Sequence, residues 1–97
     1  MADKHTDNTG ARAVVHAGEH QFTISVEGKQ VGLIDFHDRD GVRTFTHTEV
    51  DPAYGGRGLA TILVADALDA ARASGLRIAS HCSMVTRYIA EHPEYQR

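Results

Sequence analysis

The apolar pattern of this chain changes period across one short glycine-rich stretch. In the segment QFTISVEG, Phe22, Ile24 and Val26 alternate with Thr23 and Ser25, as in a strand with one wet face. In GLATILVADALDAARASG, Leu59, Ile62, Leu63, Ala67, Leu68 and Ala71 recur at three- and four-residue intervals, as on one face of a helix. Between the two regimes lies DPAYGGRGLA, residues 51–60, with three glycines and a proline in ten positions. A chain built this way puts its sheet first and its main helix after it.

Other signals complete the order. EGKQ, 27–30, reads as a tight turn, QVGLIDFH as its partner strand, and DRDG, 38–41, as a second turn. VRTFTHTEV, 42–50, is dense in β-branched and aromatic residues and reads as a third strand. Gly75 is placed to cap the helix, and LRIASHC, 76–82, offers a short strand. Ser83 reads as the N-cap of a last helix that runs to His92, where Pro93 stops it. The expected fold is α+β, in the order β-β-β-α-β-α, with a mostly antiparallel sheet. Residues 1–11 are polar and read as a flexible tail; residues 12–97 read as a single domain.

Composition excludes several functions. Ten Lys and Arg are spread among thirteen Asp and Glu, for a net charge of −3, so no basic stripe for nucleic acid is expected. Seven histidines show no helical metal-pair spacing, and no CxxC is present, so no metal site is expected. A single cysteine, Cys82, fits a reducing compartment. MADKHTDNTG lacks the apolar core of a signal peptide, and no run approaches a membrane span. The expectation is a cytoplasmic protein, as a monomer or homodimer.

The glycine stretch can be read as a turn alone, with Gly55 and Gly56 supplying positive φ. It can also be read as an anion cradle. A helix start leaves N–H groups unpaired at the positive end of the dipole, glycines let a ligand approach, and Arg57 adds charge. The spacing matches neither GxxxxGK[ST] nor GxGxxG.

With Val50 ahead of it and Gly56-Arg57-Gly58-Leu59-Ala60 within it, the stretch resembles the acetyl-CoA motif of the GCN5-related N-acetyltransferases, [QR]-x-x-G-x-[GA]. Ala53 stands where that family usually has Gln or Arg. FTHTEV and the C-x5-Y-I-x2-H-P-E-Y tail resemble the small stand-alone YjdJ-type acetyltransferase-like family. The resemblance implies a sheet whose strands ending at Val50 and near His81 run parallel and then part. It implies that the pantetheine arm of acetyl-CoA lies in that gap. The pyrophosphate would meet the amides of Tyr54, Gly55, Gly56, Arg57, Gly58, Leu59 and Ala60, and the Val50 N–H would meet the oxyanion. Elements that shape the acceptor site in longer members are missing.

Amide formation needs a base for the amine, and His47 and Glu49 share a face of the strand before the loop. Glu49 is the closer match to the family's carboxylate; His47 has the better intrinsic pKa. Cys82 stands at a strand-to-helix junction, where family members often carry Asn. It could accept the acetyl group or only contact the cofactor. Two functions follow: an acetyl-CoA-dependent N-acetyltransferase acting on an unidentified amine, directly or through Cys82, and a CoA- or acyl-CoA-binding module with little or no turnover. An interaction domain without CoA is a third.

Overall fold

The structure is a computed structural model and describes residues 2–95. Its strands are β1 (Ala2–Thr6), β2 (Arg12–Ala17), β3 (Gln21–Val26), β4 (Lys29–Arg39), β5 (Val42–Val50) and β6 (Arg77–Ser80), and its helices are α1 (Leu59–Ala73) and α2 (Ser83–Glu91). One sheet holds all six strands in chain order. Neighbours are antiparallel except β5 and β6, which the α1 crossover makes parallel. The α+β class and the mostly antiparallel sheet agree with the sequence reading.

The strand count does not: two strands precede the expected meander. The polar segment taken for a flexible tail contributes β1, which pairs with β2 from Ala2↔His16 to Thr6↔Arg12. Asp7 then closes a turn, its N–H donating to the Ala11 carbonyl at 2.9 Å. ADKHT has no run of alternating large apolar residues, so periodicity could not find it; backbone pairing at the sheet edge holds it instead.

The core lies on one face of the sheet, under α1. Val15, Phe22, Ile24, Ile34, Phe36 and Phe45 from the strands meet Leu59, Leu63, Val64 and Leu68 from the helix. Phe36 sits between Phe22 and Phe45, with ring centroids 5.5 and 5.9 Å away. Among the described residues no helix is long and apolar enough to cross a membrane.

Two irregularities shape β4 and β5. The β4–β5 register jumps between Asp35↔His47 and Phe36↔Phe45, so Thr46 is an extra residue, a β-bulge. The bulge inverts the alternation. Phe45 pairs with buried Phe36 and Thr48 with buried Ile34, so both lie on the helix face. His47 and Glu49 fall on the opposite face beside Asp35 and Leu33. Gly32 is the second feature, lying between Ile24 and Val50. A Cβ there would stand 2.9 Å from Ile24 Cγ2, 3.1 Å from the Glu49 carbonyl oxygen and 3.2 Å from Val50 Cγ2.

Gly32→Ala is therefore expected to destabilise the fold by about 1–3 kcal/mol, the usual scale of overpacking. Urea denaturation would show it as a lower midpoint at unchanged slope. A neutral result would mean that the end of β5 can move aside.

Candidate active site

β5 and β6 pair only from Val42↔Arg77 to Phe45↔Ser80, and the His81 N–H closes the ladder on the Phe45 carbonyl at 2.8 Å. Past that point β5 runs on to Val50 beside β4, while β6 has ended. The bulge at Thr46 falls where the strands part. The Asp51 N–H turns toward β4 and the Val31 carbonyl, at 2.7 Å. Alternation along the strand then directs the Val50 and Thr48 amides into the gap.

Cys82 stands at the apex of the gap. Its Sγ lies 3.3 Å from Thr48 Oγ1, bridging the two strands where they diverge. Ser80 holds the turn: its hydroxyl donates to the Cys82 carbonyl at 2.8 Å and accepts the Cys82 N–H at 3.3 Å. The N-cap of α2 is Cys82, and the expected cap, Ser83, is the first helical residue. Ser has the higher capping propensity, but the Ser80 turn decides the geometry one residue earlier. Burial alone would push the thiol up. The Thr48 hydroxyl and the amides of Val85, Met84 and Thr48 outweigh it, so the Cys82 pKa lies below the ordinary thiol value.

The glycine stretch opens with a 3-10 turn, Pro52–Tyr54, capped by Asp51 Oδ1, which accepts the Ala53 N–H at 2.9 Å. This turn consumes two expected donors. The Tyr54 N–H goes to the Asp51 carbonyl at 2.8 Å and the Gly55 N–H to the Pro52 carbonyl at 3.2 Å. Positive φ falls at Gly56 (74°) and Gly58 (78°), whereas Gly55 is extended at −65°. Gly58 is the N-cap of α1 and offers no side chain to its first turn. Among the described residues no acceptor meets the amides from Gly56 to Thr61. Of the amides expected to form a cradle, those of Gly56, Arg57, Gly58, Leu59 and Ala60 are thus open, and those of Tyr54 and Gly55 are not.

The Arg57 side chain turns toward the N-terminal segment. Its Nε–H donates to Asp7 Oδ2 at 2.8 Å, a terminal N–H to Thr9 Oγ1 at 3.1 Å, and its guanidinium lies 4.9 Å from the Tyr54 ring centroid. The Asp7 side chain is fully buried. Its other oxygen accepts the Thr9 hydroxyl and the amides of Thr9 and Ala11. The Thr9 hydroxyl is the largest influence on Asp7. Burial opposes it, and with the Thr9 and Ala11 amides and Arg57 added, the pKa falls from 3.8 to about 2.

His47 and Glu49 are brought together, Nε2 to Oε1 at 3.2 Å, on the open face of the sheet. Their side chains are 58 and 63% exposed. Asp35 lies opposite His47 and accepts a hydrogen bond from Gln21 at 2.7 Å.

A groove of about 350 Å³ runs from Ala60, Thr61 and Val64 on α1 to Met84, Arg87, Tyr88 and Glu91 on α2. Tyr88 stacks on His92 at 3.9 Å, and burial first, then Asp69 and Glu94, raise its pKa. Tyr95 is buried and its hydroxyl donates to Asp69 on α1, so the HPEY segment docks the end of α2 on α1. A wider, open cleft at His5, Arg12 and Glu27 contains no residue of the gap. Among the described residues no three His, Cys, Asp or Glu side chains are placed to hold a metal ion.

Sequence reasoning missed Asp7, Thr9, Thr48 and Ser80. Asp7-x-Thr9-Gly10 carries the spacing of an Asx turn and was the one available signal.

Comparison with known proteins places this geometry among relatives. Residues 21–97 match the family model described as GCN5-related N-acetyl-transferase. The chain is 33% identical over 75 residues to the proteins called NATD1 of Gallus gallus and Homo sapiens, covering 75% of this chain and 68 and 66% of theirs. A GCN5-like protein of Staphylococcus aureus, solved by NMR, superposes with a TM-score of 0.66 at 26% identity, over 84% of this chain and 82% of that one. The ribosomal-protein-S18-alanine N-acetyltransferase of Escherichia coli shares the fold, with a TM-score of 0.64 at 19% identity, over 79% of this chain and 54% of that one.

Two expectations follow. Cys82 should react with iodoacetamide at a lower pH midpoint than it does in the urea-unfolded chain, and Thr48→Val should raise that midpoint. An unchanged midpoint in Thr48→Val would remove the hydroxyl from the account. For Asp7 the folded pKa lies below the unfolded one, so its contribution to stability is present above the unfolded value of 3.8 and is lost as pH falls toward about 2. The stability gap between wild type and Asp7→Asn should close over that window in urea melts.

Proposed function

Because the chain belongs to the GCN5-related N-acetyltransferase family, we propose that it takes acetyl-CoA as donor and passes the acetyl group to an amine. The supporting observation is that the gap between β5 and β6 has the apex and the mouth this reaction needs. Its apex carries the Cys82–Thr48 contact. Its mouth leads past Val50 to the uncapped start of α1. The pyrophosphate would lie on the amides of Gly56, Arg57, Gly58, Leu59 and Ala60, where donors and the helix dipole both favour an anion. The pantetheine arm would follow the free edge of β5.

The chemistry assigns itself to the two sides of β5. The His47–Glu49 pair, on the open face, takes a proton from the incoming ammonium. The neutral amine then attacks the thioester carbonyl carbon, and the Val50 N–H, directed into the gap, donates to the oxyanion. Collapse breaks the C–S bond, CoA leaves as thiolate, and the extra proton on the attacking nitrogen passes to that thiolate, giving the neutral amide and CoA thiol. Direct transfer is the simpler course. Transfer through Cys82 would first move the acetyl group to Sγ with release of CoA, and the amine would then attack that thioester. A cytoplasmic setting belongs to this reading, since a reactive single thiol needs reducing surroundings.

One observation favours the second reading, a CoA-binding module. The His47–Glu49 pair is more than half exposed on a face without covering helices. Such a pair lacks the enclosure that usually tunes a base.

Acetyl-CoA should raise the melting temperature by mass action. Thiol release should appear with some member of a panel of amines, and Glu49→Gln or His47→Gln should slow it by about a hundredfold or more, the usual share of a general base. Loss in Cys82→Ala, with an acetyl-enzyme trapped in the wild type, would select the covalent route. Stabilisation by acetyl-CoA with no turnover on any amine would leave the binding module standing. A flat melting temperature at millimolar acetyl-CoA would remove both readings.

A further inference from the structure

The segment before β2 touches the glycine loop at four points, and all of them converge on Arg57 and Gly58. Asp7 and Thr9 receive the Arg57 guanidinium. The Asn8 N–H donates to the Arg57 carbonyl at 2.8 Å. The Asn8 side chain packs so closely on Gly58 that a Cβ there would lie 3.0 Å from it. Asp7 has no freedom to release its partner: its other oxygen already accepts three bonds from Thr9 and Ala11. A carboxylate taken out of water needs its counter-charge, and breaking such a pair is far costlier than breaking a surface one. The guanidinium is therefore held on Asp7 and Thr9 of the N-terminal segment.

We propose that Arg57 is a positioning residue, clamped by Asp7, that fixes the Gly56–Ala60 backbone with its amides converging on the pyrophosphate. This rests on the acetyl-CoA reading above and changes the role of the loop's one cation. Left alone, two glycines at positive φ give the loop many conformations, and ordering it on binding would weaken affinity. The clamp orders it beforehand. The phosphate site then extends to residues 7–9, outside the 21–97 segment that matches the family.

The test compares equilibrium binding of acetyl-CoA and acetyl-pantetheine, which carries the same thioester without the pyrophosphate. The full chain is used as wild type, Asp7→Asn, Arg57→Gln and the double variant. Wild type should prefer acetyl-CoA. Each single substitution should weaken acetyl-CoA by about tenfold, the scale of ordering a side chain or two on binding. Acetyl-pantetheine should stay within about twofold by the same reckoning, and the double variant should be no weaker than either single one. If Arg57 were itself the phosphate ligand, Asp7→Asn would free it and acetyl-CoA would bind as well or better; that result overturns the proposal. Equal losses for both donors would mark a merely structural role and overturn it too.

Should Asp7→Asn fail to fold, wild-type NMR decides. Saturation with acetyl-CoA should move the Gly56–Ala60 amides and leave the Arg57 Nε–H on Asp7; a large shift of that Nε–H overturns the proposal. A wild type that binds both donors equally has no pyrophosphate site to order, which overturns the proposal alone; one that binds neither is a failure of the acetyl-CoA reading itself. It is visible before any variant is made, and the inference falls with it.

Discussion

β5 cannot remain paired with both of its neighbours, and most of the site follows from how that conflict is resolved. Its ladder with β4 persists to Val50, while its ladder with β6 stops at Phe45. The extra residue at Thr46 increases the local twist and inverts the facing of everything after it. Phe45 stays in the core, and Thr48 and Val50 follow it onto the helix face. His47 and Glu49 are turned out beside Asp35. One inserted residue thus separates an apolar, thiol-bearing side from an ionisable one, with the same backbone between them. It also turns the Thr48 and Val50 amides away from β4: that of Thr48 meets the Cys82 sulfur, and that of Val50 has no strand partner among the described residues. Gly32, lacking a Cβ, lets Ile24 and Val50 close over the bent strand.

The glycine loop presents a second conflict, between leaving its amides open and being fixed in place. The 3-10 turn ties down Tyr54 and Gly55, and α1 ties down everything after Thr61. What lies between has two glycines at positive φ and no capping side chain. Fixing it from the ligand side would use up the free donors. The N-terminal segment fixes it from behind, through the Arg57 carbonyl and guanidinium, leaving the amides available. His5 on β1 adds a second tie, meeting Asp66 of α1 at 2.7 Å. A strand with little apolar content is thereby tied to the fold by backbone pairing and a side-chain hydrogen bond.

These two conflicts also mark what the sequence could reveal. Strands β3 to β5, α1, β6 and α2 were legible because burial imposes a period on them. VRTFTHTEV was bounded correctly at Val42 and Val50. β1 was not legible: ADKHT meets neither period, and the residue that anchors its turn, Asp7, is polar and buried. The bulge was hidden for a different reason. His47 and Glu49 share a face with or without it, so the pattern carried no sign that Phe45 had parted from them. The cap of α2 was misplaced because propensity ranks Ser83 above Cys82, while the position is set by Ser80, which bonds both backbone groups of Cys82. In the glycine loop the number of donors was overestimated, since Asp51 and Pro52 absorb two of them in a turn that needs three-dimensional closure to be seen.

Cys82 as an N-cap is a choice against stability. Ser, Thr, Asp or Asn at such a position typically contributes about 1 kcal/mol through a side-chain bond to the first turn, and Cys82 makes no such bond. Yet the Val85 and Met84 amides remain close enough to favour a thiolate, and Thr48 adds a hydroxyl and an amide from across the gap. Donors that would otherwise have strengthened the helix are thus directed at a sulfur. A thiol serving only as a small apolar filler would gain nothing from these donors, because burial by itself would keep it protonated. Their convergence on one atom, at the point where β5 and β6 separate, lowers the thiol pKa in a way that packing does not require. On the acetyl-CoA reading proposed above, an acyl thioester lying along β5 would end beside that atom.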